Sequence, residues 1–323
     1  MKKTNKKQYK AIVITGPTAS GKSDLAVHLA KWLQLKNNRQ KFSIKGAEII
    51  SADSRQVYRG LDIGSGKVKP DIHLKTNRLF VHQGIVHHCL DIASPRKRFT
   101  VAQYQKKAKA ALKKILQKEK IAIICGGSGF YISSLIDGLI IPPIKPDASL
   151  RKKMEKLSSQ DLFLKLKKLD VKRAKQIDPC NKRRLIRALE IIIKTKQPVP
   201  SLKKEKLPFQ CLKLALKKDR PELKKLIRRR LLKRLKSGLI REVRSLRQSG
   251  LSWKKLEEFG LEYRFISYYL QKKISYKQMV GLLQKEIEHY AKRQATWLKK
   301  EEQLHWIRNK TEAKKLINKF LQN

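Results

Sequence analysis

Short apolar runs alternate with segments of helical periodicity in the N-terminal part of the chain. Ala11–Thr15, Ala47–Asp53 and Ile121–Cys125 are apolar and rich in β-branched residues, which is typical of parallel strands covered on both faces. Residues 101–118 and Phe130–Asp137 place apolar side chains at helical spacing. This alternation predicts a doubly wound α/β core built on a parallel sheet.

Prolines interrupt the pattern at Pro142–Pro146. From Asp147 to Lys196 the periodicity is almost wholly helical, and Gln197–Pro200 ends that segment. We therefore predict three segments: an α/β core over residues 1–142, a helical insertion over 143–205, and the rest of the core with a basic helical region over 206–323.

The last segment is predicted to begin with a strand at Phe209–Leu216, followed by a long basic helix that Asp219 caps. A further short strand is predicted at Leu304–Ile307. Lys36–Lys45 and Asp71–Gly84 have no clear periodicity, and we expect them to be loops.

A glycine-rich loop joins the first strand to the first helix and reads G-x-x-x-x-G-K-S. Its residues are Gly16, Pro17, Thr18, Ala19, Ser20, Gly21, Lys22 and Ser23. Backbone N–H groups of such a P-loop and the positive end of the helix dipole surround an anion. Lys22 adds a positive charge, and the Ser23 hydroxyl can hold Mg²⁺ against phosphates. The sequence therefore predicts a P-loop NTPase-like sheet that binds a di- or triphosphate.

Three polar segments follow strand ends and can meet in one crevice: Gly16–Ser23, Asp53 and Gly126–Ser128. Asp53 has three possible roles. It could link to Mg²⁺ in a phosphotransferase, act as a general base facing the phosphate site, or cap a helix over Ser54–Arg59. Sequence position alone does not choose between them.

Composition narrows the class of protein. Hydrophobic residues make up 41% of the chain, which indicates a folded core. No apolar stretch has the length of a membrane span, and the basic N-terminus does not resemble a secretory signal. The four cysteines are far apart and form no C-x-x-C pair, so a cytoplasmic enzyme without a zinc site is expected.

Positive charge is in large excess, with 78 Lys and Arg against 26 Asp and Glu, a formal net charge of +52. A surface of this kind favours nucleic acid as a partner. A general enrichment of lysine on all surfaces is the alternative explanation of the excess.

The chain resembles the tRNA dimethylallyltransferases, also called tRNA isopentenyltransferases, of the bacterial type. The matching segments, in chain order, are Gly16–Ser23, Asp53–Lys67, His87–Ile92, Gly126–Tyr131, Arg184–Glu190 and Ala291–Trp297. The resemblance implies transfer of a dimethylallyl group from dimethylallyl diphosphate to N6 of adenosine 37, beside the tRNA anticodon, with release of pyrophosphate. We also expect Mg²⁺ as the cofactor, the tRNA anticodon arm as the partner, no membrane association and a monomeric enzyme.

The resemblance also implies roles for individual residues. Asp53 matches the family's base, and Arg220 matches an arginine that contacts the diphosphate. Lys22 and Ser23 complete the expected catalytic set, with Ser23 as the metal-binding residue. The residues that match tRNA-contacting positions are Asp53, Ser54, Arg55, Gln56, Ser128, Arg151, Arg183, Arg184 and Arg187.

The sequence departs from the family pattern in places. Phe259–Arg264 stands where a Gly-Tyr-Lys or Gly-Tyr-Arg motif is common, Lys285–Tyr290 replaces an Arg-rich run, and Asn181 replaces a frequent Asp. Two other functions stay open from the residues: a P-loop kinase of a nucleoside or small metabolite, and an RNA-binding protein with an inactive P-loop. Ser128 and the arginines could also be a helix cap and a solvated basic face.

Overall fold

The computed structural model describes residues 9–71, 79–142, 144–201, 204–205 and 207–322. The chain divides into two compact units, one formed by residues up to Asp137 and from residue 206 onward, the other by Gly138–Glu205. In the part of the chain that is described, no helix combines the length and apolar character needed to cross a bilayer.

One sheet forms the centre of the larger unit. Its strands are β1 (Tyr9–Thr15), β2 (Ala47–Ser51), β3 (Phe80–His82), β4 (Ile85–His88), β5 (Ile121–Cys125), β6 (Phe209–Leu216) and β7 (Leu304–Ile307). They lie in the order β3-β4-β2-β5-β1-β6-β7. All neighbouring strands are parallel except β3 and β4, which form a hairpin. The predicted α/β class with a parallel P-loop-type sheet is confirmed.

The helices of the larger unit are α1 (Lys22–Gln34), α2 (Lys36–Phe42), α3 (Val101–Gln117), α4 (Gly129–Ile136), α9 (Arg220–Lys236), α10 (Leu239–Gln248), α11 (Trp253–Phe259), α12 (Leu261–Leu270), α13 (Tyr276–Leu298) and α14 (Lys310–Gln322). Those of the smaller unit are α5 (Ala148–Glu155), α6 (Ser159–Leu169), α7 (Val171–Gln176) and α8 (Lys182–Thr195).

The central strand β1 is covered on both of its faces, and it is apolar at every central position. Ala11 and Val13 belong to one core cluster, with Tyr104 of α3. Ile12 and Ile14 belong to the other, with Leu29 of α1. A strand that buries alternate side chains on opposite faces reads as a continuous apolar run, as the sequence does here.

Capping residues set where several helices begin. Thr100 and Gln103 form a reciprocal capping box at α3, and Asn181 accepts from Arg184 N–H at α8. Asp219 occupies the N-cap position of α9, but its side chain makes no capping hydrogen bond.

Two expected loops contain regular structure. Lys36–Lys45 includes α2, whose Phe42 packs edge-on against Trp32 with ring centroids 5.9 Å apart. This segment has one buried apolar residue, too few to show a helical period. Phe80–His82, within the second expected loop, pairs with β4 through a turn in which Gln83 and Gly84 both have positive φ. Residues 72–78 of that segment lie outside the described part of the chain.

Candidate active site

The glycine-rich loop lies between the end of β1 and the start of α1, at the carboxyl edge of the sheet. Gly21 has φ +89° and turns the chain into the helix, and Gly16 has φ +150°. A Cβ on Gly16 would come within 2.8 Å of Ser20 Oγ and 3.2 Å of the Leu216 carbonyl oxygen. Gly21, at the N-cap of α1, offers no side-chain cap, so the first N–H groups of this helix point toward the loop without a capping acceptor.

Lys22 is half-buried inside this loop. Its Nζ donates to the Pro17 carbonyl oxygen at 3.3 Å. Burial, with a further contribution from the charge of Arg230, lowers the pKa of Lys22 from 10.5 to about 8. Among the described residues Lys22 forms no ion pair, so its charge is available to an anion in the loop.

Helix α9 brings Arg230 to the P-loop, while Arg234 on the same helix donates to the Gly64 carbonyl oxygen. Arg230 donates to Thr18 Oγ1 at 3.0 Å, and no carboxylate within the described ranges pairs with it. Burial and the nearby charge of Arg234 lower the pKa of Arg230 to about 10. Arg234, one turn later, is buried and pairs with Glu262 at 2.8 Å. The arginine that contacts the P-loop, Arg230, is thus unpaired among the described residues, whereas Arg234 is neutralised by Glu262.

Asp53 follows β2 by two residues. Its Oδ1 accepts from the N–H groups of Arg55 at 2.8 Å and Gln56 at 3.3 Å. The residues that follow Asp53 form a turn rather than the helix of the capping hypothesis, and Asp53 holds that turn as an Asx cap does. Oδ2 has no partner in the described part of the chain. The negative charge of Asp53 partly offsets the lowering of the pKa of Lys22 and of Arg230, so the carboxylate lies close enough to act on both cations.

The turn after Asp53 is tied to its surroundings. Ser54 N–H donates to Ser128 Oγ at 3.1 Å, and Arg55 Nε donates to the Phe259 carbonyl oxygen at 2.6 Å. Gln56 accepts from Ser51 Oγ at 3.0 Å and donates to the Gly66 carbonyl oxygen at 3.2 Å. Ser128 stands at the N-cap of α4 without capping it, because its hydroxyl accepts from Ser54 instead.

Arg220 begins α9 and is exposed, with no hydrogen bond or ion pair to a described residue. It precedes Arg230 by ten residues, which at about 1.5 Å per residue is about 15 Å along the helix. The arginine that contacts the P-loop is thus Arg230.

The four other expected tRNA-contacting arginines lie in the smaller unit. Arg151 forms a two-bonded ion pair with the fully buried Glu190, at 2.7 and 2.5 Å, and Arg187 joins at 2.5 Å. Burial alone would raise the pKa of Glu190, but the bonds from Arg151, the Asp147 backbone and Arg187 lower it to about 2. Arg183 and Arg184 are instead exposed on α8 and form no ion pair within the described residues.

Comparison with known proteins gives concordant results. The profile of the family described as IPP transferase matches residues 56–301. The chain is 36% identical over 314 residues to a tRNA dimethylallyltransferase of Pelotomaculum thermopropionicum, covering 95% of this chain and 93% of that protein. The chain belongs to the IPP transferase family. The resemblance inferred from the sequence motifs is confirmed.

Further relatives of this IPP transferase family member cover almost the whole chain. A tRNA dimethylallyltransferase 1 of Citrifermentans bemidjiense is 35% identical over 305 residues, 93% of this chain and 92% of that protein. The crystal structure of tRNA isopentenylpyrophosphate transferase from Bacillus halodurans superposes with TM-score 0.66 and 30% identity, covering 98% and 96% of the two chains. A eukaryotic dimethylallyltransferase structure shares the fold, with TM-score 0.70 and 22% identity over 98% of this chain and 80% of that one.

Two groups of this IPP transferase were missed from the sequence: Arg230 at the P-loop, and Glu242, which holds the loop at residues 62–64. Arg230 could have been found from the spacing of apolar residues on a basic helix. Ile227 and Leu231 are four residues apart on the buried face of α9, and Arg230 lies beside that face. Glu242 accepts from the N–H groups of Asp62 at 3.1 Å, Ile63 at 2.6 Å and Gly64 at 3.1 Å. No sequence signal links Glu242 to that loop, since the contact joins segments about 180 residues apart.

Proposed function

We propose that this protein transfers the dimethylallyl group of dimethylallyl diphosphate to N6 of adenosine 37 in tRNA and releases pyrophosphate. The observation that carries the proposal is the charge arrangement at the P-loop. Lys22 and Arg230 supply positive charge without carboxylate partners among the described residues, and Asp53 presents a carboxylate oxygen without a hydrogen bond there at the same site. This combination suits a diphosphate leaving group beside an acceptor that loses a proton.

The proposed reaction joins the adenine N6 to C1 of the dimethylallyl group while the bond from C1 to the diphosphate oxygen breaks. N6 is a weak nucleophile because its lone pair is delocalised into the ring. Asp53 Oδ2 takes the N6 proton as the C–N bond forms. Lys22, Arg230 and the loop N–H groups stabilise the negative charge that develops on the leaving diphosphate.

The loop's donor set fits both a diphosphate and Mg²⁺. Ser20 Oγ is buried, without a partner among the described residues, and can donate to a phosphate oxygen. No group of three or more His, Cys, Asp or Glu that could hold a metal occurs in the described ranges. Mg²⁺ suits such a site, since it is usually held by one or two side-chain oxygens together with phosphates and water. Ser23 would hold the ion, which would neutralise charge on the diphosphate.

For the acceptor tRNA we propose contacts in the larger unit and, separately, in the smaller unit. The target base has to leave the anticodon-loop stack to reach Asp53. We assign Ser54, Ser128, Arg183 and Arg184 to RNA contact. All four cysteines are free thiols, which fits the reducing cytoplasm where we propose the enzyme acts.

The donor and acceptor are tested by offering alternatives. With Mg²⁺, dimethylallyl diphosphate and an anticodon stem-loop should give prenylated RNA, whereas AMP as acceptor should give little product. ATP should neither transfer its γ-phosphoryl group nor compete strongly with dimethylallyl diphosphate. Phosphoryl transfer from ATP to a nucleoside would favour the kinase and contradict the proposal.

Donor affinity should depend on pH through Lys22. Its pKa of about 8 in the free protein rises when a diphosphate binds, because the anion favours the charged form. Affinity is therefore highest below about pH 8 and falls above it, by at most about tenfold per pH unit. Calorimetric titration of dimethylallyl diphosphate without tRNA measures this, and Lys22→Met should bind weakly without the same fall. If donor affinity fell equally with rising pH in wild type and in Lys22→Met, the assignment of the pH dependence to Lys22 would be contradicted.

The two exposed arginines of α8 should contribute to tRNA affinity through phosphate contacts. Replacing Arg183 and Arg184 by Gln is expected to lower the slope of log affinity against log salt by about 2, roughly one per cation. The maximal rate at saturating tRNA should stay near wild type. Replacing Lys167 and Lys168, which are exposed on α6 of the same unit, removes the same charge. If the lysine double variant lost as much tRNA affinity as the arginine double variant, the effect would be one of general charge and not of a specific surface.

A further inference from the structure

A buried glutamine on α13 joins two loops of the active site. Gln294 Oε1 accepts from Thr18 N–H in the P-loop at 2.7 Å, across 276 residues of sequence. Its Nε2 donates to the Gly127 carbonyl oxygen, after β5, at 2.8 Å. The side chain is 7% exposed, so both bonds are shielded from water.

The first bond fixes the orientation of one P-loop peptide. Thr18 N–H is held toward α13 and is not directed at a phosphate, while Thr18 Oγ1 accepts from Arg230 at 3.0 Å. Gln294 and Arg230 therefore hold the same residue from two helices. A loop fixed in this way needs no rearrangement when the diphosphate binds.

The second bond reaches the acceptor side of the site. Gly127 precedes Ser128, whose Oγ accepts from Ser54 N–H at 3.1 Å. Ser54 in turn follows Asp53, the proposed base. Gly127 has no side chain to keep the glutamine away, since a Cβ there would collide with the Gln294 amide nitrogen. A continuous path thus runs from Thr18 through Gln294 and Gly127–Ser128 to the turn that holds Asp53.

We infer that Gln294 is a positioning residue that sets the diphosphate loop and the base-bearing turn relative to each other. The inference rests on the proposed function and deepens it. Both polar atoms of the Gln294 side chain bond to backbone groups of the protein. Gln294 therefore acts through Thr18 on donor binding and through Ser128 on the position of Asp53. A buried glutamine that served packing alone would stabilise the fold without affecting these two properties separately.

The test compares Gln294→Met, which keeps a similar shape and removes both hydrogen bonds, with Gln284→Met. Gln284 is half-buried on the same helix, where it bonds to Glu288 and Arg228, away from the P-loop. Three quantities are measured: affinity for magnesium pyrophosphate, the single-turnover rate of transfer at saturating substrates, and the thermal midpoint. Ser128→Ala and the double variant with Gln294→Met complete a thermodynamic cycle.

Gln294→Met is expected to weaken pyrophosphate binding and to slow the single turnover, each by about tenfold or more, since both lost bonds are buried. Gln284→Met should leave pyrophosphate affinity and the single-turnover rate within about twofold of wild type, which is the range of ordinary surface changes. The rate losses of Gln294→Met and Ser128→Ala should be less than multiplicative, because the two lie on one path.

Wild-type affinity and rate in a folded Gln294→Met variant would overturn the inference, as would fully multiplicative rate losses in the cycle. If Gln294→Met does not fold, Gln294→Glu takes its place. The glutamate keeps an acceptor for Thr18 N–H but cannot donate to the Gly127 carbonyl oxygen. The single-turnover rate of this variant should fall at least about tenfold, by the same reasoning. A wild-type protein that transfers no prenyl group contradicts the proposed function, while the pyrophosphate measurements still decide whether Gln294 positions the loop.

Discussion

Replacing Asp53 by Asn is expected to slow prenyl transfer by about 10²–10⁴, the usual contribution of a positioned base, with tRNA affinity almost unchanged. The asparagine side chain keeps an oxygen that accepts from the N–H groups of Arg55 and Gln56, so the turn survives. The carboxylate that we propose removes the N6 proton is lost. Single-turnover rates and tRNA dissociation constants measure the two effects separately.

Two further variants distinguish the loss of a base from the loss of a turn or of a nearby negative charge. Asp53→Ala removes both the base and the bonds that hold the turn, so it should be at least as slow and also less stable. Asp24→Asn removes an exposed carboxylate from the first turn of α1 and should leave the rate within about threefold. Equal losses of tRNA affinity and rate in Asp53→Asn, or a similar loss in Asp24→Asn, would argue against a base.

Replacing Arg230 by Met should reduce kcat/KM for the donor by about 10²–10³, because the charged hydrogen-bond donor that we propose for the leaving group is lost. The arginine lies against the P-loop and has no carboxylate partner in the described part of the chain. Steady-state kinetics at saturating tRNA measures the change. Most of the loss should appear in kcat if Arg230 acts on charge that develops during the reaction.

Two other arginines of α9 provide controls for this prediction. Arg229→Met changes the exposed neighbour on the same helix and should have little effect. Arg220→Met tests the arginine that the sequence resemblance indicated. A large loss in Arg220→Met with a small loss in Arg230→Met would return the role to Arg220 and contradict the assignment from the structure.

The sequence predicts the parts of the site that local signals define. Buried strands are continuous apolar runs, so β1, β5 and β6 lie where the hydrophobic pattern placed them. The P-loop is recognised by its glycines and its strand–helix context. Because parallel strands end at one edge, Asp53 and the P-loop could be expected to meet, and the charge of Asp53 does act on Lys22.

Contacts between distant segments could not be predicted. Gln294 reaches Thr18 only because α13 packs beside the P-loop, and a glutamine within a helix gives no local sign of this. The family resemblance matched Arg151 and Arg187 to tRNA-contacting positions but gave no sign that both also pair with the buried Glu190. One sequence does not reveal which charges are partnered, since pairing depends on tertiary packing.

Nucleoside mass analysis of tRNA incubated with the protein, dimethylallyl diphosphate and Mg²⁺ tests the central claim most directly. The expected result is N6-dimethylallyladenosine among the nucleosides, formed by wild type and nearly absent with Asp53→Asn over the same time. Unmodified adenosine after incubation with folded, tRNA-bound wild-type protein would contradict the account.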